Sequence, residues 1–236
     1  MKPITTLAFD IYGTLIDVMG VVKVLEKHYG ENARVFSQQW RDKQLEYSFR
    51  RALMQDYAPF SVCTRQALDY MDNLSYAAGM KDSPLTPSDK EELMTAYSQL
   101  PIYAEVKDAL IKVKEMGYNL WAFSNGEEQQ VRSLLENAGI LDLFKGVVSV
   151  DAIGSFKPDP VVYKYFLQHT GAESQECLLI SCNPFDILGA AKSDWDTLWL
   201  RRNSTDVFDA WGDEATGGPL QTLECLKDLP FWLNKE

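Results

Sequence analysis

The chain has 236 residues, 46% of them hydrophobic, which allows a sizeable core and argues against a disordered chain. Its formal net charge of -11 argues against nucleic-acid binding, which needs a basic face. It leaves room for an anionic substrate in a local cationic pocket.

In chain order, the first expected strand is "ITTLAF" (4–9). From about 18 to 97 no strand is predicted. "VVKVLEKHYG", "ARVFSQQWRDKQLEYSFRRALMQ", "FSVCTRQALDYMDNLSYAAG" and "SDKEELMTAYSQL" read instead as amphipathic helices. Ser88 with Glu91 fits a capping box for the last of them, after a loop at 81–88. The α/β pattern resumes near Pro101, with strands expected at 118–123, 146–150, 177–181 and 196–200. Helices are predicted between these strands. The first runs over 127–139 and ends in Gly139. The second opens on Asp159 as N-cap with Pro160 in its first turn and closes near Gly171. The third covers 184–193. Alternating strands and helices predict an α/β fold, a Rossmann-like parallel sheet core with an inserted helical cap domain. The expected division is 1–17 and 98–236 for the core and 18–97 for the cap. The four cysteines (Cys63, Cys177, Cys182, Cys225) fit no zinc spacing and are expected as free thiols in a reducing compartment. No apolar run approaches the roughly 18 residues of a membrane span. The N-terminal "MKPITTLAFD" has no long apolar h-region, so a soluble, cytoplasmic protein is expected, without membrane or nucleic-acid partners.

Ligands of an open parallel sheet bind beyond the carboxyl ends of its strands. Polar residues fall at those ends: Asp10 after the first strand, Ser124 and Asn125 after the second, Lys157 after the third, and Ser181 and Asn183 after the fourth. A carboxylate beside a cation and neutral donors has the means to act as a nucleophile, because the ammonium favours its ionised form.

The segments "DIYGTLID" (10–17), "FSNG" (123–126), "FKPDPVVY" (156–163) and "SCNPFDILGA" (181–190) closely resemble the haloacid dehalogenase superfamily, specifically its L-2-haloacid dehalogenases. The cap segment 40–60 is similar to theirs as well. Four such motifs in order carry far more weight than any one alone. Phosphatases of the superfamily read D-x-D-G-T, whose second Asp protonates the leaving alcohol, and they hold Mg²⁺ with the first Asp and a further acid. Here Tyr12 stands at the second Asp and Ser181 at the further acid. Both losses suit halide displacement. Halide leaves without a proton, and a monoanionic halocarboxylate carries less charge than a phosphoryl group, so no metal or other cofactor is expected. An aromatic ring at 12 supplies an apolar wall instead. The runner-up is a Mg²⁺-dependent phosphatase of the same superfamily.

The resemblance implies Asp10 as nucleophile and a short 2-haloacid and water as partners. Ser124 and the backbone N–H groups of Ile11 and Tyr12 receive the substrate carboxylate. Arg41 receives the departing halide, with Asn125, Phe60 and Phe185 near that cradle. Thr14 orients Asp10, and Lys157 holds its charge. Tyr163 faces the site beside Lys157. Ser181, Asn183 and Asp186 surround the hydrolytic water, with Asp186 read either as its activator or as the residue that positions Lys157. Relatives are often homodimers, and a homodimer is expected here by resemblance alone.

Overall fold

Thr6–Phe9 (β1) is four consecutive buried residues, the signature of a strand covered on both faces. Cys177–Ser181 (β4) is likewise buried throughout, and Asn119–Ser124 (β2), Gly146–Ser149 (β3) and Asp196–Leu200 (β5) are buried over most of their length. With Gln221–Leu223 (β6), they form a six-stranded sheet in the order β3-β2-β1-β4-β5-β6, every pairing parallel. β1 lies between β2 and β4, so the chain leaves it towards one edge and later returns to its other side. This is the switch point where a ligand crevice opens in such sheets. The register puts Phe9 level with Ala122 and Ile180, so Asp10 emerges at the crevice. This computed structural model describes residues 3–211, 219 and 221–234.

Two units divide the chain: one runs to Ile16 and resumes at Ile102, and the other spans Asp17–Pro101. The return edge falls later than the 98 expected from sequence. Leu100 is buried, Asp17 N donates to Pro101 O at 2.8 Å, and a Cβ on Gly20 would lie 2.7 Å from the Pro101 ring, which ties that segment to the helical unit. This unit contains Val22–Tyr29 (α1), Ala33–Met54 (α2), Phe60–Ala77 (α3) and Pro87–Tyr97 (α4). The buried residues of α2 (Ala33, Phe36, Ser37, Trp40, Gln44, Ser48) recur at three- and four-residue steps, one helical stripe. Phe36 stacks on Tyr29 at 3.8 Å, and Trp40 meets Tyr97 at 5.3 Å. Trp40 Nε1 donates to Thr64 O at 2.9 Å, which fixes α2 against α3. The buried Asp72 accepts from the Leu85 amide, Lys81 and Lys90, anchoring the loop before α4. Burial pushes its pKa up, but those donors outweigh burial, and the net direction is down. α4 corrects the expected cap: its box is Thr86 with Asp89, not Ser88 with Glu91. Pro87 explains the shift, because proline belongs in the first turn, just after the cap.

The core unit adds Val106–Glu115 (α5), Glu128–Asn137 (α6), Pro160–Thr170 (α7), Pro184–Ala191 (α8) and Leu229–Leu233 (α9). Asp159 caps α7 by accepting from Val161 N at 3.1 Å, and Gly171 ends it at φ +72°, as the sequence predicts. The sequence reading assigns neither α5 nor β6. Among the described residues, no helix is long and apolar enough to cross a membrane. The four cysteines form no disulfide, and burial pushes the Cys177 thiol up to about 12, so it stays protonated at neutral pH.

Candidate active site

β1 ends in a tight turn. Ile11 O accepts from the amides of Thr14, Leu15 and Ile16 at 3.2, 2.9 and 3.0 Å. Gly13 has φ +88°, and a Cβ there would meet Cys182 Sγ at 2.9 Å, so both conformation and space require glycine. The turn brings Thr14 back onto Asp10, which is 7% exposed. Asp10 Oδ2 accepts from Thr14 Oγ1 at 2.7 Å and from Asn183 Nδ2 at 2.8 Å. Asp10 Oδ1 faces Lys157 Nζ at 3.3 Å. The two oxygens therefore differ: Oδ2 is held by two short bonds, Oδ1 by one long one.

Lys157 is 1% exposed, and its ammonium is fully engaged. It donates to Asp186 Oδ2 at 2.7 Å and to Phe123 O at 2.9 Å, and it sits 4.1 Å from the centre of the Phe123 ring. Its own amide donates to Asn125 Oδ1 at 2.9 Å, which ties the ends of β2 and of the loop after β3. Asp186 is 0% exposed, in the first turn of α8. Its Oδ1 accepts from Tyr163 Oη at 2.8 Å. Burial raises the Asp186 pKa, Lys157 opposes that, and Asp10 adds to it; the net direction is up. Burial and Asp186 likewise raise the Tyr163 hydroxyl, so it remains a donor.

Tyr163 is fully buried, and its hydroxyl bonds the same Asp186 carboxylate that holds Lys157. Gly189 makes that position possible: a Cβ there would stand 2.3 Å from the Tyr163 hydroxyl and 2.8 Å from Pro158 Cβ. Gly189→Ala is expected to lower stability by about 1–3 kcal/mol, the usual result of overpacking. Loss of the Tyr163 bond to Asp186 should lower kcat several-fold as well. Urea melts and steady-state kinetics read both effects.

The remaining predicted residues of the core unit gather at the same strand ends. Ser124 is fully buried at the end of β2, its Oγ accepting from Gly126 N at 3.0 Å. Tyr12 is buried, and a Cβ on Gly126 would lie 3.0 Å from its ring, so the phenol packs on the backbone after β2. Ser181 Oγ accepts from Asn183 N at 3.1 Å and so sets the residue whose amide reaches Asp10. Asn183 Nδ2 also donates to Tyr12 O at 3.3 Å. Phe185 is half-buried in the first turn of α8. Within the helical unit, Arg41 Nη1 donates to Gln44 Oε1 at 2.7 Å, and its guanidinium lies 6.0 Å from the Phe60 ring. Asp42 accepts from Gln38 at 2.9 Å. Cys182, which the sequence marks only as a free thiol, also reaches the site: its amide donates to Thr14 Oγ1 at 2.9 Å. Backbone donors leave no sequence signal.

These residues do not fit a divalent ion. The two carboxylates are already bridged by an ammonium, and Tyr12 and Ser181 contribute no charge. Among the described residues, no group of three or more His, Cys, Asp and Glu side chains is arranged to hold a metal.

A buried aspartate at the switch point of a parallel sheet, faced by a lysine that a second aspartate at the start of a later helix holds in place, is the arrangement of an α/β hydrolytic enzyme. The family model of haloacid dehalogenase-like hydrolases matches residues 4–194, and the chain belongs to that family. Haloacetate dehalogenase H-2 of Moraxella sp. (strain B) is 34% identical over 212 residues, 90% of this chain and 92% of that protein. The (S)-2-haloacid dehalogenase of Pseudomonas sp. (strain YL) is also 34% identical over 212 residues, covering 90% and 88%. Among solved structures, L-2-haloacid dehalogenase from Xanthobacter autotrophicus with chloropropionic acid covalently bound aligns with a TM-score of 0.85. Its identity is 29%, over 98% of each chain.

Proposed function

We propose that this chain hydrolyses the carbon–halogen bond of short-chain L-2-haloalkanoic acids, giving 2-hydroxy acids through an ester on Asp10. The observation that carries this reading is the asymmetry of the Asp10 carboxylate. Oδ1, held by one long bond, is the oxygen free to attack carbon. Attack from behind the halogen forms the C–Oδ1 bond, expels halide and inverts the carbon, so the L-substrate yields the D-product. Oδ2 is then the ester carbonyl. Water attacks the Asp10 carboxyl carbon, and negative charge develops on Oδ2, where Thr14 and Asn183 already donate. That is an oxyanion hole aimed at developing charge. The hydroxy acid leaves with Oδ1 and one water proton; the other proton is released.

Asp186 is fully buried and has both oxygens bonded, which supports the role of positioning Lys157 over that of activating water. Ser124 and the amides of Ile11 and Tyr12 receive the substrate carboxylate, and Tyr12 walls the pocket. The resemblance assigns the halide to Arg41 with Phe60 in the helical unit and, in the core unit, to Asn125 and Phe185. The covalently bound acid in the Xanthobacter relative supports an ester route.

The test is a single turnover of L-2-chloropropionate in ¹⁸O water with EDTA and enzyme in excess. Halide should be released and the first product should carry no label, because its new oxygen is Oδ1. Labelled first product would mean direct attack by water. Mg²⁺-dependent cleavage of p-nitrophenyl phosphate without halide release would replace this reading by a phosphatase.

A further inference from the structure

Arg202 follows β5, and its side chain is only 10% exposed. Its guanidinium lies 3.9 Å from the centre of the Tyr103 ring. One Nη donates to the Thr14 carbonyl and the other to Glu105, so the planar fork is fixed on two sides and on one face. Tyr103 N in turn donates to Leu15 O at 3.1 Å, so two consecutive carbonyls of the turn after Asp10 are clamped from this side. The Thr14 side chain completes the relay. Its Oγ1 accepts from Cys182 N, so its own proton points to Asp10 Oδ2.

We propose that Arg202 is a positioning residue for the second half of the reaction. By holding the Thr14 carbonyl, it fixes the hydroxyl that stabilises charge on Asp10 Oδ2. This inference rests on the ester reading above. In ester formation, charge leaves Oδ2, and the Thr14 bond weakens towards the transition state. In ester hydrolysis, charge builds on Oδ2, and the bond strengthens. Misplacing Thr14 therefore slows hydrolysis more than formation.

The experiment compares Arg202→Lys, Arg202→Gln and Arg202→Met with wild type in quenched-flow turnover of L-2-chloropropionate. Chloride release and the mass of the peptide carrying Asp10 are followed together. In Arg202→Met, ester decay is expected to fall about 10- to 100-fold, somewhat below the loss of a whole oxyanion donor. Ester formation should change by less than about threefold, and the lysine variant should recover part of the decay rate. A purely structural role would lower melting temperature without this split. If the methionine variant does not fold, the lysine and glutamine variants carry the comparison. Equal slowing of both steps, or no change in decay, overturns the proposal. A wild-type enzyme that forms no ester overturns the parent reading instead.

Discussion

Asp10→Asn is expected to abolish halide release, with a loss on the order of 10⁴-fold or more, as for other removed nucleophiles. The fold should survive. Asparagine keeps the size of the side chain and can still accept from Thr14, provided its carbonyl oxygen takes the place of Oδ2. Lys157 is not orphaned either, because Asp186 remains 2.7 Å away and Phe123 O 2.9 Å away. Chloride assays beside circular dichroism and urea melts separate the two effects. A wild-type rate in this variant would remove Asp10 from the chemistry altogether.

Lys157→Met is the second large effect, and it acts on stability as well as rate. It leaves Asp10 and Asp186 buried without their shared cation. Breaking a buried ion pair from one side costs about 3–5 kcal/mol. Loss of the charge that holds Asp10 should lower kcat by about 10²–10³-fold, as for removal of a preorganised electrostatic partner. The penalty also depends on pH. Asp186 already titrates above the ordinary carboxylate value through burial, with Lys157 opposing the shift. Without Lys157 its folded pKa rises further. A raised acid contributes stability that is present below the unfolded pKa of about 3.9 and lost as pH rises through the folded value. Both proteins lose this contribution alike until pH passes the raised wild-type value of Asp186, so the gap between variant and wild-type stability should widen above that value, towards the higher one of the variant. Urea midpoints at several pH values measure it; a gap that narrows with rising pH would contradict the placement of Lys157 between two carboxylates.

Strands covered on both faces are legible in sequence because they leave unbroken apolar runs. Asp10 and Lys157 stand out where such runs stop, although 147 positions separate them. Arg202 was not legible. Its bond to Thr14 spans 188 positions, and the adjacent Arg201 looks the same in sequence yet pairs with Glu224 at the surface. Gly189 reads as an ordinary small helix residue until the Tyr163 ring is seen against it. Helical spacing puts Tyr163 one turn into α7 beside Lys157, but the bond of its hydroxyl to Asp186 leaves no mark in the sequence. β6 has three residues, too few for any periodicity. Two overlapping box patterns occur at the cap of α4, and only the proline between their first residues decides for Thr86 with Asp89.

In the ester route proposed above, the tether on Asp10 Oδ2 gives the enzyme a memory of its solvent. After each cycle the atom supplied by water occupies the vacated Oδ1 place. A side chain pinned through its other oxygen does not flip, so that newcomer becomes the next attacker. Every hydroxy acid after the first then carries an atom drawn from the preceding cycle, while the pinned oxygen stays with the protein from synthesis to degradation.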